Sequence, residues 1–275
     1  MPLTAFLLAL AAAFVHAGWN LLTARADQSQ AAVGVSLAIG ALVFAPVAAL
    51  SWEVDFGGVW RYAAGSVVLE VLYFFFLATA YQRGPLSVVY PVARGAAPVL
   101  VAGASVVALG ASLSAPVVVG VLVVSAGIVL VRGFDRTTRA ADLALALATA
   151  ATIAAYTLVD KEALVHADPL PYLELVIVPT ALIYLAIAVR FWGADTVRRS
   201  FGAGTAVAGV GMFAAYALTL AALQRADAAP VAAVRETSIV IAAVLAAAFL
   251  HERVGALRAT GAAVVFAGVV VLALA

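Results

Sequence analysis

The sequence predicts an all-α, polytopic membrane protein whose ten transmembrane helices form two inverted five-helix repeats. Three features predict this fold: an apolar composition, ten long charge-poor segments and an internal repeat. Of the 275 residues, 66% are hydrophobic and 11% are charged. A soluble domain carries about 25% charged residues, because its surface must be hydrated. The mean hydropathy of +1.15 therefore indicates a chain that lies mostly in lipid.

The charge and the rare residue types exclude several classes of protein. Fifteen Lys and Arg residues against 14 Asp and Glu residues give a net charge of +1, which argues against a basic nucleic-acid-binding protein. The absence of cysteine excludes disulfides, thiolate metal sites, iron–sulfur clusters and a cysteine nucleophile. Only three histidines are available for a metal site. We therefore expect no cofactor, no metal and no nucleic-acid partner.

Ten segments are long and apolar enough to cross a bilayer as helices, which requires about 20 mostly apolar residues. Their continuous apolar character differs from the short alternating strands of a membrane β-barrel. Turn or charge signals separate them, such as Arg83-Gly84-Pro85 and Arg225-Ala-Asp227. In chain order, segments 1 to 10 are residues 3–23, 31–51, 62–82, 86–109, 115–132, 141–159, 171–191, 204–224, 228–249 and 255–274.

Segments 1–5 and segments 6–10 are similar in sequence, which indicates two copies of one unit. The copies would be residues 1–134 and 135–275. Because each copy has an odd number of spans, the second must enter the membrane from the opposite side, which gives an inverted repeat with the substrate near the midplane. The matched residues are Ala80-Tyr-Gln-Arg83 with Ala222-Leu-Gln-Arg225, Arg94 with Arg235, Gly120 with Gly261, and Gly127 with Gly268.

The spacing of the glycines favours helix packing over ligand binding. Gly120 and Gly127, like Gly261 and Gly268, are seven residues apart and lie on one helix face. Small residues let membrane helices approach closely, so we expect segment 5 to pack on segment 10 or on a second protomer. The stretch Gly209-Val-Gly211-Met-Phe-Ala214 fits a dinucleotide-binding pattern, but it lies inside an apolar span without a preceding strand.

Three short strings carry a resemblance to a known family. They are His16-Ala-Gly-Trp19-Asn20, Tyr90-Pro91-Val-Ala-Arg94-Gly95 and Val234-Arg235-Glu236-Thr-Ser-Ile239. Together with the ten spans, they make the whole chain similar to the EamA-type branch of the drug/metabolite transporter superfamily. The resemblance implies two EamA-like five-helix repeats, at 1–134 and 135–275, and secondary active transport.

The resemblance is incomplete at one position. The family's glutamate after its ninth helix corresponds to Glu252 in Leu250-His251-Glu252-Arg253, whereas the first half has Leu109-Gly110-Ala111-Ser112 at the matching place. A symmetric glutamate pair is therefore absent from the sequence. Some members of the similar subset are associated with phosphonate-utilisation genes, which adds phosphonates to the candidate substrates.

Arg94 in segment 4 and Arg235 in segment 9 are the leading candidates for substrate binding. Ionisable residues at membrane depth are costly and usually face a cavity or a partner. The planar guanidinium matches the oxygens of a carboxylate or phosphonate. Structural pairing with an acid and a position at the membrane interface are the alternatives that the sequence leaves open.

Two acids lie close to this predicted pathway. Glu236 follows Arg235, and Glu70 lies in the middle of segment 3 with Tyr73 three residues further on the same face. We expect one of these acids to neutralise an arginine, because a buried charge without a partner is expensive. Either carboxylate is also a candidate for coupling transport to a proton.

Polar and aromatic side chains mark further helix faces. His16, Trp19 and Asn20 share a face of segment 1, and Tyr156 and Asp160 share a face of segment 6. These faces fit either a pathway wall or an interfacial aromatic belt. We expect a cavity between segments 1, 3, 4, 6, 8 and 9. The expected walls are formed by Trp19, Tyr156 and, in segment 4, Tyr90.

The orientation in the membrane has two conflicting indications. Ten Lys and Arg residues flank odd-numbered connections and three flank even-numbered ones, which predicts cytoplasmic odd connections and termini outside. The family resemblance implies termini inside. We expect a multi-pass protein of a prokaryotic inner (cytoplasmic) membrane.

The sequence thus predicts a secondary active transporter rather than an enzyme, working by alternating access. The expected substrate is a small anionic or zwitterionic metabolite, such as an amino acid, an organic acid or a phosphonate, and export is the expected direction. Its expected partners are this substrate, the lipid bilayer and a candidate coupling proton, and the chain is a monomer or homodimer. A membrane-embedded sensor or interaction protein is the alternative, followed by an integral-membrane enzyme.

Overall fold

The computed structural model describes residues 1–22, 30–83, 86–132, 140–250 and 255–275. Apart from one antiparallel bridge between Val54 and Ala167, the regular structure of these residues is helical. The helices are α1 (Leu3–Leu22), α2 (Gln30–Leu50), α3 (Phe56–Arg83), α4 (Leu86–Leu109), α5 (Ala115–Arg132), α6 (Ala140–Ala163), α7 (Pro169–Trp192), α8 (Ala194–Arg199), α9 (Ala203–Leu223), α10 (Ala228–Arg235), α11 (Ser238–Leu250) and α12 (Ala256–Leu274).

Within the described ranges, seven helical segments are long and apolar enough to cross a membrane. They lie in α2, α3, α4, α6, α7 and α9, and across α10 and α11. Three shorter apolar helices, Leu3–Trp19, Ala115–Leu130 and Ala259–Leu274, lie within α1, α5 and α12. The polytopic, helical class is therefore confirmed by the structure.

The expectation of ten continuous helices differs from the structure in two places. The short helix α8 of six residues precedes α9 and begins after Gly193, whose φ of 85° favours glycine. Segment 9 is divided into two helices: α10 ends at Arg235, and α11 begins at Ser238. By contrast, α4 runs unbroken past Pro98.

Helices from the two halves pack in a reciprocal pattern. Helix α1 packs on α9 while α3 packs on α6, and α4 packs on α6 while α10 and α11 pack on α1. The other large contacts between the halves are α2 with α7, α5 with α12, and the matched pair α2 with α9 and α3 with α7. Exchanging each helix of the first half for its sequence counterpart in the second reproduces these pairs, as expected for an inverted repeat.

The α5–α12 contact depends on the glycines singled out from the sequence. A Cβ atom built on Gly127 would lie 2.7 Å from the backbone nitrogen of Val265 and 2.9 Å from the carbonyl oxygen of Gly261. A Cβ on Gly268 would lie 3.1 Å from the carbonyl oxygen of Gly120. These obstacles are backbone atoms that a side-chain rotation cannot move, so the glycines set the closeness of the two helices.

We expect Gly127→Ala to lower the melting temperature of the detergent-solubilised protein, because the added methyl group forces α5 and α12 apart. The matched control is Gly103→Ala in α4, where an added Cβ meets nothing within 4 Å. Thermal melting of the purified variants measures the difference. Equal melting temperatures for the two variants would contradict this account of the contact.

One end of the bundle, here called the bridge face, carries the Val54–Ala167 bridge. The amide of Asp55 donates to the His166 carbonyl at 2.7 Å. Lys161, near the end of α6, donates to the carbonyl oxygens of Leu223 at 2.7 Å and Ala226 at 3.1 Å. A pocket at the same end is lined by Met1, Pro2, Ser112–Ser114, Arg225–Asp227 and Ala275, among others. Met1 and Ala275 therefore lie at one face, and the other end is called the opposite face.

Candidate functional site

A cavity of about 180 Å³ lies among α1, α2, α3, α4, α6, α7, α9 and α10. All of these helices except α2 and α7 belong to the segments that the sequence predicts around a cavity. Ala32 of α2 and Gly204 and Thr205 of α9 line the cavity within the first three residues of their helices, so the cavity extends towards the opposite face. The predicted residues that line it are His16, Trp19, Glu70, Tyr73, Arg94, Tyr156 and Arg235.

The break between α10 and α11 builds a charged cluster at the cavity wall. Glu236 follows the last residue of α10, and its carboxylate lies between Arg94 of α4 and Arg235 of α10. The distances are 2.7 Å from Arg94 Nε to Oε2 and 3.5 Å from Arg235 Nη2 to Oε1. All three side chains are buried, with Glu236 1% exposed. Glu236 thus neutralises an arginine, as one of the two acids was expected to do.

Arg94 has further polar neighbours that hold it in place. Its Nη2 donates to Ser238 Oγ at 3.4 Å and approaches His16 Nε2 at 3.5 Å. His16 in turn packs edge-on against Trp19, with ring centroids 5.3 Å apart. The predicted face of segment 1 therefore contacts the predicted arginine of segment 4.

Arg235 lies further from the Glu236 carboxylate than Arg94 does. Its side chain is buried and lines the cavity, and its Nε atom has no hydrogen-bond acceptor among the described residues. The distance of 3.5 Å to Glu236 is also at the outer limit of a hydrogen bond. The guanidinium of Arg235 therefore lines the cavity without a close ion pair, where it can bind an anionic ligand.

The remaining wall combines an acid with aromatic rings. Glu70 is buried in the cavity wall and interacts electrostatically with Asp160 and Arg235. Tyr73 and Tyr156 pack edge-to-face with centroids 5.7 Å apart, and Tyr156 packs in the same way on Tyr216 at 5.8 Å. Such a wall suits the apolar part of a small molecule.

One predicted site residue does not line the cavity, and others cannot be placed because they fall outside the described residues. Glu236 contacts both arginines but is not among the residues that line the cavity. The side chains of Asn20 and Tyr90 lie outside the part of the chain that the structure describes, as does Glu252. Within the described ranges, no group of three or more His, Asp and Glu residues is placed to hold a metal ion.

A second polar cluster has partners that sequence reasoning missed. Asp160, grouped from the sequence only with Tyr156, accepts hydrogen bonds from Ser66, Tyr172 and Tyr216. Ser66 lies four residues before Glu70, so it shares the predicted face of segment 3. Tyr216 lies deep within the apolar segment 8, and a buried tyrosine hydroxyl needs a partner. These features of the sequence identify Ser66 and Tyr216 as hydrogen-bond donors, but they do not show that Asp160 is the acceptor.

A multi-pass helical bundle that encloses a charged and aromatic cavity fits the class of integral membrane transport proteins. The sequence profile of the EamA-like transporter family matches residues 3–133 and 141–274. The chain therefore belongs to the EamA-like transporter family and thus to the drug/metabolite transporter superfamily. Membership of this family implies a multi-pass membrane transporter.

The fold is also found in a solved crystal structure. That structure superposes with a TM-score of 0.78 at 18% sequence identity, and the match covers 100% of this chain and 98% of that chain. At this level of identity the similarity shows the fold alone. No curated protein sequence matches the chain significantly.

Proposed function

We propose that the protein is a secondary active transporter that moves a small anionic or zwitterionic metabolite by alternating access. The observation that carries the proposal is the meeting of Arg94 and Arg235, one from each half, at a single carboxylate beside the cavity. One acid neutralises only one of the two guanidinium groups. The other retains a charge that an anionic group of the substrate can neutralise.

The proposed architecture has ten spans in two inverted repeats, at 1–134 and 135–275. Seven candidate spans and three shorter apolar helices in the described ranges support this number. The reciprocal packing of α1 on α9 and of α3 on α6 supports the inversion. The cavity lies between these halves, where rocking of one half against the other would expose it first to one face and then to the other.

The charges around the cavity favour a substrate that carries both signs. The Arg235 guanidinium lines the cavity, where it can donate to a carboxylate or phosphonate, and Glu70 presents an acid to the same cavity. Tyr73, Tyr156 and Trp19 provide ring edges and faces for an apolar side chain or an ammonium group. Amino acids, organic acids and phosphonates are therefore the substrate classes to test.

We expect export in a prokaryotic inner membrane, with a proton as the candidate coupling ion and Glu70 as one candidate carrier. The protein acts as a monomer or homodimer. Proton coupling depends on the same cavity. A coupled proton must bind where its charge changes the balance between the two conformations of the transporter.

Counterflow in proteoliposomes tests the proposal. Vesicles containing the purified protein are loaded with one unlabelled member of each class, and entry of the labelled compound is followed. We expect saturable, protein-dependent accumulation for at least one anionic or zwitterionic compound. Conversion of the compound would favour an enzyme. Binding without flux would favour a sensor, and either result would contradict the proposal.

A further inference from the structure

The Asp160 cluster is a separate site that the proposed substrate-binding residues do not use. Asp160 is completely buried near the end of α6. Its Oδ1 accepts hydrogen bonds from Ser66 Oγ at 2.6 Å and from Tyr172 OH at 2.5 Å, and its Oδ2 accepts one from Tyr216 OH. Three hydroxyl groups from α3, α7 and α9 thus converge on one carboxylate of α6.

The cluster lies between the cavity and the bridge face. Tyr216 lines the cavity, and Lys161, the residue next to Asp160, donates to the carbonyl oxygens of Leu223 and Ala226 at the end of α9. Asp160 is three residues from the end of α6, a rise of about 5 Å. The cavity extends in the other direction, so the cluster closes its inner end.

The hydrogen bond between Ser66 and Asp160 joins the two halves of the chain across 94 residues of sequence. Helices α3 and α6, which carry these residues, pack closely together. Opening the cavity towards the bridge face requires the helices around the cluster to separate. Such a movement must break at least one of these hydrogen bonds, so the strength of the cluster sets how readily this end opens.

The negative charge of Asp160 is stabilised mainly by hydrogen bonds from hydroxyl groups. Among the described residues, no Lys or Arg forms an ion pair with it. Its own helix contributes Tyr156 and Lys161. The Lys161 ammonium group donates to the carbonyl oxygens of Leu223, the last residue of α9, and of Ala226 beyond it. The other titratable or charged groups that face it are Glu70 from α3, Tyr172 from α7, Tyr216 from α9 and Arg235 from α10.

Protonation would weaken this cluster for two reasons. Hydrogen bonds to an ionised carboxylate are roughly twice as strong as those between neutral groups. A protonated carboxyl group also carries an O–H donor, so one oxygen that accepted a hydroxyl must now donate. The change therefore removes the charge and disturbs the match between three donors and one acceptor group.

We propose that Asp160 is a proton-binding site that controls a gate at the bridge-face end of the cavity. The ionised carboxylate holds the gate closed, and the neutral acid releases it. One proton binds to Asp160 from the cavity side, where Tyr216 is accessible, and leaves to the aqueous phase of the bridge face after opening. The proposal rests on the alternating access of the proposed function.

The absence of native cysteine permits a direct test of the gate. Thr219→Cys places one thiol of similar size in the cavity wall, three residues beyond Tyr216 towards the bridge face. An impermeant thiosulfonate reagent is applied at the bridge face of oriented proteoliposomes across a range of pH. Labelling rates are divided by those of Ser112→Cys, an exposed position at the same face, to remove the pH dependence of thiolate chemistry.

We expect the normalised labelling rate to rise at least about tenfold on acidification, the change that corresponds to about 1.4 kcal/mol. In the Asp160→Asn background, labelling should be fast at every pH. Tyr172→Phe should raise the rate but keep the pH dependence, because the carboxylate remains. Tyr184→Phe removes a buried hydroxyl from the same helix outside the cluster and should change nothing.

A labelling rate that does not change with pH in the Thr219→Cys protein would overturn the gate, as would a pH dependence that survives Asp160→Asn. If Asp160→Asn does not insert, the pH profiles of Thr219→Cys with and without Tyr172→Phe still decide the question. No substrate is needed for labelling. The gate can therefore fail while counterflow succeeds, or be confirmed while counterflow fails.

Discussion

Replacement of Arg235 by Ala should abolish most transport while the protein still folds. The variant leaves Glu236 paired with Arg94 at 2.7 Å, so the buried cluster keeps one acid and one base. The anionic group of the substrate loses its guanidinium partner, and an uncompensated charge in a buried site costs about 2–5 kcal/mol. We expect at least about a 100-fold lower kcat/KM in counterflow, which corresponds to about 2.8 kcal/mol.

Three comparisons sharpen this prediction. Arg198→Ala removes an exposed guanidinium from α8 and should leave counterflow unchanged. Arg235→Lys keeps the charge but loses the bidentate fork, so it should fall between the wild-type protein and Arg235→Ala. Arg94→Ala should lose transport and also melt at a lower temperature, because Arg94 additionally contacts Ser238 and His16. Wild-type counterflow by correctly inserted Arg235→Ala would remove this residue from the binding site.

The residues of the charged cluster could be predicted because they are charged and the segments that contain them are apolar. Arg94 and Arg235 are rare charges in apolar helices, and the repeat places them at matched positions. Their partner was predicted only as one of two acids, Glu236 or Glu70. The choice depends on how α4 and α10 are rotated and on the break in segment 9, which are tertiary features.

The helix break at Glu236 could not be predicted from local sequence. Segment 9 has Pro230 near its start, where proline is tolerated, and no glycine or proline near Glu236. The helix instead ends where Glu236 pairs with Arg94 and where Thr237 Oγ1 donates to the carbonyl oxygen of Val234 at 2.7 Å. These interactions satisfy polar groups that a continuous helix would arrange differently.

The glycine contact could be predicted in part from the sequence, whereas the partners of Asp160 could not. The spacing of Gly120 and Gly127 is a local pattern, so it predicted a packing face, and the structure supplies α12 as its partner. Asp160 and Ser66 are 94 residues apart, and only the register of α3 against α6 brings them together. Local patterns therefore predict which faces are buried, whereas partners across the bundle require the assembled structure.

Glu236→Gln should have the largest effect on stability of any single substitution in the site. It leaves Arg94 and Arg235 buried beside each other without the acid between them. Removing one member of a buried ion pair typically costs about 3–5 kcal/mol. At about 2–4 °C per kcal/mol for a chain of this size, the melting temperature should fall by roughly 10 °C. Glu53→Gln, an exposed glutamate at the bridge face, is the matched control and should melt like the wild-type protein.

Two further measurements connect this loss of stability to the bound anion. The double variant Arg94→Gln/Glu236→Gln restores the original net charge of the cluster and should recover part of the melting temperature. A transported anion should stabilise Glu236→Gln more than the wild-type protein, because it can neutralise both guanidinium groups and its binding energy adds to folding. A wild-type melting temperature for Glu236→Gln would show that the cluster does not depend on this carboxylate. Equal stabilisation of both proteins by the anion would place the substrate away from the arginines.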